Sequence, residues 1–183
     1  MKNISKSFYY IRHGQTDWNK NNICQGHIDI PLNSVGLNQA NLAKSKVENL
    51  NLKAVISSPL IRAFKTAQII NSNRKFPLTT HRGLMECHSE KVATEYMLKS
   101  GHENLPDFSK LGEKQETKAE FVERVKDSLI EITKRHERDF LIVSHGGVGQ
   151  CISEFLNIDY VKIPNCQIIR FFLENNKYKL ELI

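Results

Sequence analysis

Two histidines follow the same local pattern, each closing a short apolar run and each followed by glycine. One is Phe8-Tyr9-Tyr10-Ile11-Arg12-His13-Gly14; the other is Phe140-Leu141-Ile142-Val143-Ser144-His145-Gly146-Gly147. A strand that delivers an arginine and a histidine to its C-terminal end marks a site for an anion. Neutral imidazole attacks phosphorus well and then leaves readily, so His13 is a candidate nucleophile. Arg12 and Arg62 offer planar forks suited to phosphate oxygens, and His145 would meet His13 in one crevice if the two strands are neighbours. Phosphoryl transfer also needs a proton for the departing oxygen, and Glu86 is the best-placed carboxyl by chain order. A free glutamate is ionised at neutral pH, so this role requires partial burial or the charge of the phosphate to hold its proton. Glycine after each histidine would keep the turn and an approaching phosphate uncrowded.

The elements that must position these residues alternate between strand and helix, the pattern of an α/β layered fold. In open α/β sheets ligands sit at the carboxyl ends of strands, near helix N-termini. Strands are expected at Phe8–Arg12, Ala54–Ser57, Leu78–Leu84 and Phe140–Ser144. Helical spacing of Ala40, Ala43, Val47 and Leu50 places a helix over Leu37–Leu50, behind Asn33-Ser34 as cap candidates. Ser58-Pro59 is expected to open the next helix, with serine capping and proline in the first turn, burying Leu60, Ala63, Phe64, Ala67 and Ile70. Thr117-Lys118-Ala119-Glu120 is a capping box. It starts a long amphipathic helix to about His136, with Phe121, Val125, Leu129 and Ile132 on one face. A helix to Leu156 follows His145, and the runs Gln167–Glu174 and Lys177–Ile183 form a hairpin about Asn175-Asn176. Between them, a polar stretch at about 88–117 reads as a short helix near Glu90–Lys99 and a lid-like loop over the site. Together these elements give one domain over 1–183, a three-layer α/β/α sandwich with a mostly parallel central sheet.

Bulk composition sets outer limits. The 183 residues are 40% hydrophobic and 25% charged, which is ordinary globular usage with enough chain for a core that needs no staples. A formal net charge of +6 favours anionic partners. The lysines are scattered and no basic tract carries interleaved aromatics, so no nucleic-acid partner is expected. Four cysteines without a CxxC pair read as free thiols of a reducing compartment. No signal-peptide core and no membrane-length apolar run is present, so a cytoplasmic protein without membrane contact is expected. The sequence leaves the oligomeric state open.

The motifs in order resemble the histidine phosphatase superfamily, its phosphoglycerate mutase-like branch above all. The resemblance rests on Arg12-His13-Gly14-Gln15-Thr16, Trp18-Asn19, Asn22, Gln25-Gly26, Asp29, Pro31-Leu32, Gly36 and Gln39-Ala40. It continues through Ser57-Ser58-Pro59-Leu60 with Arg62-Ala63 and Thr66-Ala67, then Leu84 with Glu86, Gly112-Glu113 with Arg124-Val125, and Val143-Ser144-His145-Gly146-Gly147. It implies a phosphohistidine mechanism without metal or other cofactor. His13 would attack phosphorus, Glu86 would act as acid and then as base, and Arg12, Arg62 and His145 would hold the transferring phosphoryl. Asn19, Gln25, Gly26 and Gly146 would line the phosphate and substrate pocket, and a phosphorylated small molecule would be the substrate.

The chain also departs from that pattern. Many relatives carry a Gly-x-Trp-Glu-Gly-like turn after the acid, where this chain has Cys87-His88-Ser89-Glu90-Lys91, so Glu90 is a substitute candidate for the acid. The longer insertions of true phosphoglycerate mutases, which shield a phosphoenzyme from water, are missing, which favours hydrolysis over transfer. Phosphoglycerate mutase, a protein phosphohistidine phosphatase and a non-catalytic phosphate-binding module stand as the rival readings. The pocket walls are expected from residues 20–30 and 88–117. Asn19 could also cap a turn, and Trp18 reads as packing. His27, His81, His88, His102 and His136 read as surface residues, with His88 a candidate to face substrate. Zinc held by Cys87, His88, His13 and His145 fails on spacing.

Overall fold

A six-stranded sheet in the order β3-β2-β4-β1-β5-β6 organises the computed structural model, which describes residues 7–88 and 115–183 together with Leu98. Its strands are β1 (Ser7–Arg12), β2 (Ala54–Ser57), β3 (Leu78–Thr80), β4 (Phe140–Ser144), β5 (Ile168–Glu174) and β6 (Lys177–Leu182). The first four run parallel, with β4 between β1 and β2, while β5 and β6 add an antiparallel hairpin beside β1. Helices α1 (Asp17–Lys20), α2 (Ser34–Glu48), α3 (Ile61–Ile70), α4 (Lys118–Arg135) and α5 (Gly146–Phe155) complete the described elements, with one 3-10 turn at Arg82–Leu84. The expected helix at Glu90–Lys99, the alternative acid Glu90, the Gly112-Glu113 motif and His102 lie outside the described residues.

Strand alternation sorts the core into two layers. Phe8, Tyr10, Ile56, Phe140 and Ile142 face one side, where Val125, Leu129 and Ile132 of α4 and Val148 and Ile152 of α5 pack on them. Ile11, Val55, Leu141 and Val143 face the other side, against Ala43 and Val47 of α2 and Ala63, Ala67 and Ile70 of α3. All of β4 is buried, as a central parallel strand covered on both faces must be. This is the three-layer arrangement expected from the sequence.

Local chemistry explains most boundaries. Asn33 caps α2 by accepting the Gly36 N–H, and Thr117 and Glu120 form the reciprocal capping box of α4. Asn175 and Asn176 both adopt left-handed φ, 50° and 61°, as a two-residue hairpin turn requires.

Two expectations need correction. The strand expected at Leu78–Leu84 ends at Thr80, and the chain turns through a 3-10 step in which His81 accepts the Gly83 N–H. The helix after Ser58-Pro59 begins only at Ile61 and Ser58 is not its cap. Instead Asp29, from a distant loop, accepts the Ile61 N–H at 2.6 Å, while the Ser58 hydroxyl turns to His145. Phe64, expected to be buried, is only half-buried on that helix, and the inward position goes to Arg62.

Gly14 has a different reason from the one the sequence suggested. A Cβ there would lie 2.5 Å from the backbone oxygen of Gly36, and one on Gly36 would lie 2.0 Å from that of Gln15. The two glycines let the turn after β1 cross the first turn of α2 backbone to backbone, which fixes where His13 sits.

Candidate active site

Three parallel strands end side by side and bring the two histidines to one place. Arg12 pairs with Ser144 in register, and the His13 N–H continues the ladder onto the Ser144 carbonyl at 2.9 Å. The Ser58 N–H extends the β2–β4 ladder onto Val143 in the same way. His13 and His145 therefore emerge together, with ring centroids 5.1 Å apart.

His13 is 3% exposed and places Nδ1 2.7 Å from the Gly14 carbonyl. That carbonyl only accepts, so the ring proton sits on Nδ1 and Nε2 keeps a free lone pair. Burial, and then the Arg62 and Arg12 guanidiniums, hold His13 well below the usual histidine range. The ring is thus held neutral at ordinary pH. His145 is fully buried, 2.8 Å from the Ser58 hydroxyl through Nε2, and its backbone carbonyl accepts the Tyr10 hydroxyl. Burial first, then Arg62 and His13, hold it low as well.

Arg62 is 1% exposed in the first turn of α3. Its Nη1 and Nη2 donate to the carbonyls of Ile28 and Gly26 at 2.9 and 2.8 Å. Burial lowers its pKa to about 10, against the pull of Glu86 and Asp29, so it stays cationic at neutral pH. Arg12 donates through Nη1 to the Ile163 carbonyl at 3.1 Å. Three buried nitrogens of this cluster, Arg12 Nε, Arg62 Nε and His145 Nδ1, have no hydrogen-bond partner among the described residues. Buried polar groups are ordinarily paired, so three together in one place describe a cradle for an acceptor-rich ligand.

Glu86 completes the ring of charge. One carboxylate oxygen accepts the Cys87 N–H at 3.0 Å and the other accepts the Gly147 N–H, from the first turn of α5, at 3.1 Å. Gly147 makes that contact possible, since a Cβ would fall 2.4 Å from the carboxylate. These groups border one cleft of about 480 Å³, which includes Arg12, His13, Asn19, Gln25, Arg62, Glu86 and Gly146.

The sequence profile of the histidine phosphatase superfamily (branch 1) matches residues 8–183. The chain belongs to that superfamily. This histidine phosphatase is 28% identical to PhoE, an uncharacterized phosphatase of Bacillus subtilis (strain 168), over 93% of this chain and 88% of that one. It is 32% identical to phosphoglycerate mutase-like protein 4 of Arabidopsis thaliana over 79% of this chain and 68% of the other. The solved alpha-ribazole phosphatase of Shigella flexneri superimposes with a TM-score of 0.76 at 21% identity, over 97% of this chain and 95% of that one. The enzyme class expected from the sequence, a phosphatase of the histidine type, holds.

Within this histidine phosphatase the expected site residues divide by position. His13, Arg12, Arg62 and Glu86 border one cleft with Asn19, Gln25 and Gly146, and the fully buried His145 packs against His13 behind it. Asn19 also caps: its side chain accepts the Thr16 N–H while Thr16 accepts the Asn19 N–H, closing the capping box of α1. Gln25 is held by the Thr16 hydroxyl at 3.0 Å. Gly26 stands behind Arg62 and supplies a carbonyl to its guanidinium.

His88, expected at the surface, is buried and stacks on His27 with centroids 4.4 Å apart. The walls come from Ile23, Cys24 and Gln25 as expected, but also from Lys118, Phe121 and Val122 of α4 and Gln150, Cys151 and Glu154 of α5. Those helix positions carried an amphipathic signal that reads only as core. Gly147 and Asp29 stood inside the recognised motifs, and nothing local in the sequence marked their partners.

Proposed function

We propose that this chain hydrolyses small organic phosphomonoesters through a phosphohistidine formed on His13. In the first step Nε2 of His13 forms a bond to phosphorus as the P–O bond to the alcohol breaks, and Glu86 gives its proton to the departing oxygen. The dianionic phosphate beside Glu86 favours the protonated carboxyl before that step. Arg12, Arg62 and His145 meet the equatorial oxygens, where charge concentrates. In the second step water attacks phosphorus, the P–N bond breaks, and Glu86 takes the water's proton. The scheme calls on no metal.

The observation that carries this reading is the set of three unpartnered buried nitrogens beside a histidine held neutral in the nucleophilic tautomer. A cleft of about 480 Å³ suits a small molecule. Phe121 and Val122 offer it an apolar wall, and Lys118 and Lys162 border it with no carboxylate among the described residues at ion-pair distance. A substrate with an apolar stem and a second negative group fits that lining.

The test is phosphate release from an aryl phosphate in the presence of EDTA, comparing wild type with His13→Ala. Turnover that resists EDTA, disappears in the variant and leaves acid-labile phosphate on the wild-type protein is the expected result. Turnover that survives in His13→Ala overturns the mechanism. Phosphate moved between positions of one substrate, without release, replaces hydrolysis with a mutase.

A further inference from the structure

We infer that Arg124 is the positioning residue of the general acid, holding Glu86 at the reacting centre without itself touching substrate. The inference rests on the reading of Glu86 as acid given above. After β3 ends at Thr80 the chain passes a 3-10 turn and an extended Met85 to reach Glu86, so no sheet ladder holds this stretch. The Ser144 hydroxyl meets the Leu84 carbonyl at 2.7 Å and His27 Nε2 lies 2.8 Å from the Glu86 carbonyl, but most of the anchoring comes from one guanidinium of α4, Arg124. Its Nη1 donates to the carbonyls of Gly83 at 2.9 Å and Met85 at 3.0 Å, and its Nη2 donates to the carbonyl of Glu86 itself at 3.2 Å. The remaining N–H groups go to Glu116: Nε to Oε2 at 2.9 Å and Nη2 to Oε1 at 2.5 Å.

Arginine carries five N–H donors, and all five are committed to protein acceptors. None is left for a phosphate, and Arg124 does not border the cleft. Glu116 ties the far end of the turn by accepting the His88 N–H at 2.9 Å, while its own N–H donates to the His88 carbonyl at 2.8 Å. Three successive anchor points of the acid-bearing turn therefore hang on one planar fork. Lysine, with a single point charge, has neither the reach nor the number of donors to replace it.

Its loss would let Glu86 drift from the leaving oxygen, and the effect falls on those esters that need the proton. A nitrophenolate leaves unaided, whereas an alkoxide does not. The experiment measures kcat/KM for a nitrophenyl phosphate and an alkyl phosphate with wild type, Glu86→Gln, Arg124→Met, Arg124→Lys and the Glu86→Gln/Arg124→Met double variant. The ratio of the two rates is independent of how much protein is folded, so a merely unstable variant leaves it unchanged. The expected result is a loss of about 100-fold on the alkyl ester in Arg124→Met, with little on the nitrophenyl ester. Arg124→Lys should resemble Arg124→Met, and the double variant should be no worse than Glu86→Gln on the alkyl ester. Equal losses on both esters, or losses that multiply in the double variant, overturn the role of Arg124 while leaving the acid in place. If Glu86→Gln itself loses the two esters equally, the acid assignment falls, and the role of Arg124 falls with it.

Discussion

Replacing Gly147 by alanine adds one methyl group where the structure has no room for it. The new Cβ would lie 2.4 Å from a carboxylate oxygen of Glu86, 3.2 Å from its Cδ and 3.3 Å from the Phe121 ring. To reach an ordinary contact near 3.4 Å that oxygen must withdraw by about 1 Å, which strains its 3.0 Å bond from the Cys87 N–H and swings the carboxylate, whose other oxygen accepts the Gly147 N–H, out of place. A misplacement of about 1 Å at a reacting centre costs on the order of 100-fold in rate, equivalent to roughly 2.7 kcal/mol. Folding should respond far less. Alanine is favoured over glycine in a helix by about 1 kcal/mol, and this offsets much of the clash because the crowded atom ends a flexible side chain. Steady-state turnover of an alkyl phosphate should therefore fall about 100-fold, while the thermal unfolding midpoint stays within a few degrees of wild type. A folded Gly147→Ala enzyme that turns over the alkyl ester at the wild-type rate would refute the placement of Glu86 at the leaving oxygen.

Stability should fall in mild acid, because burial and the arginines hold both His13 and His145 below the ordinary histidine value. Between about pH 6.5 and their lowered folded values the unfolded chain binds protons that the fold refuses, so each histidine can contribute a slope of up to ~1.4 kcal/mol per pH unit, with stability rising as pH rises. Urea midpoints at pH 5 and 7.5 should separate less in His13→Asn than in wild type, and an equal separation counts against a buried neutral His13. Arg62→Lys should lower kcat/KM about 100-fold and also destabilise the fold by roughly 1–3 kcal/mol, since the carbonyls of Gly26 and Ile28 lose a shared donor. Near-wild-type kcat/KM in that variant would remove Arg62 from the phosphoryl site.

Strands β1, β2 and β4 were legible because their apolar runs are bounded by residues that cannot continue them, and the capping box at Thr117 and Glu120 fixed the start of α4. The paired histidines were legible for the same reason, since parallel strands put equivalent ends in one place. Less visible was anything depending on which loop meets which helix. Ser58 looked like a local cap, yet Asp29, far away in sequence, takes that role and frees the hydroxyl for His145. His88 looks like a surface residue in a linear reading, and Arg124 stands in a weak motif with no partner marked; the burial of the one and the five donated bonds of the other appear only when α4 packs beside the turn that follows β3. Gly14 was correctly singled out but for the wrong neighbour, because the crossing with Gly36 is invisible until both turns are placed.

The register that sets Arg12 beside Ser144 joins segments that are far apart in the chain and are synthesised at different times. While a ribosome is still short of β4, the emerging chain already carries His13 and Arg12 but lacks the neighbouring strand that orients them. The entropy of closing so long a loop grows only slowly with its length, yet it must be met before the pair exists at all. The two histidines can therefore meet only once β4 has taken its place between β1 and β2.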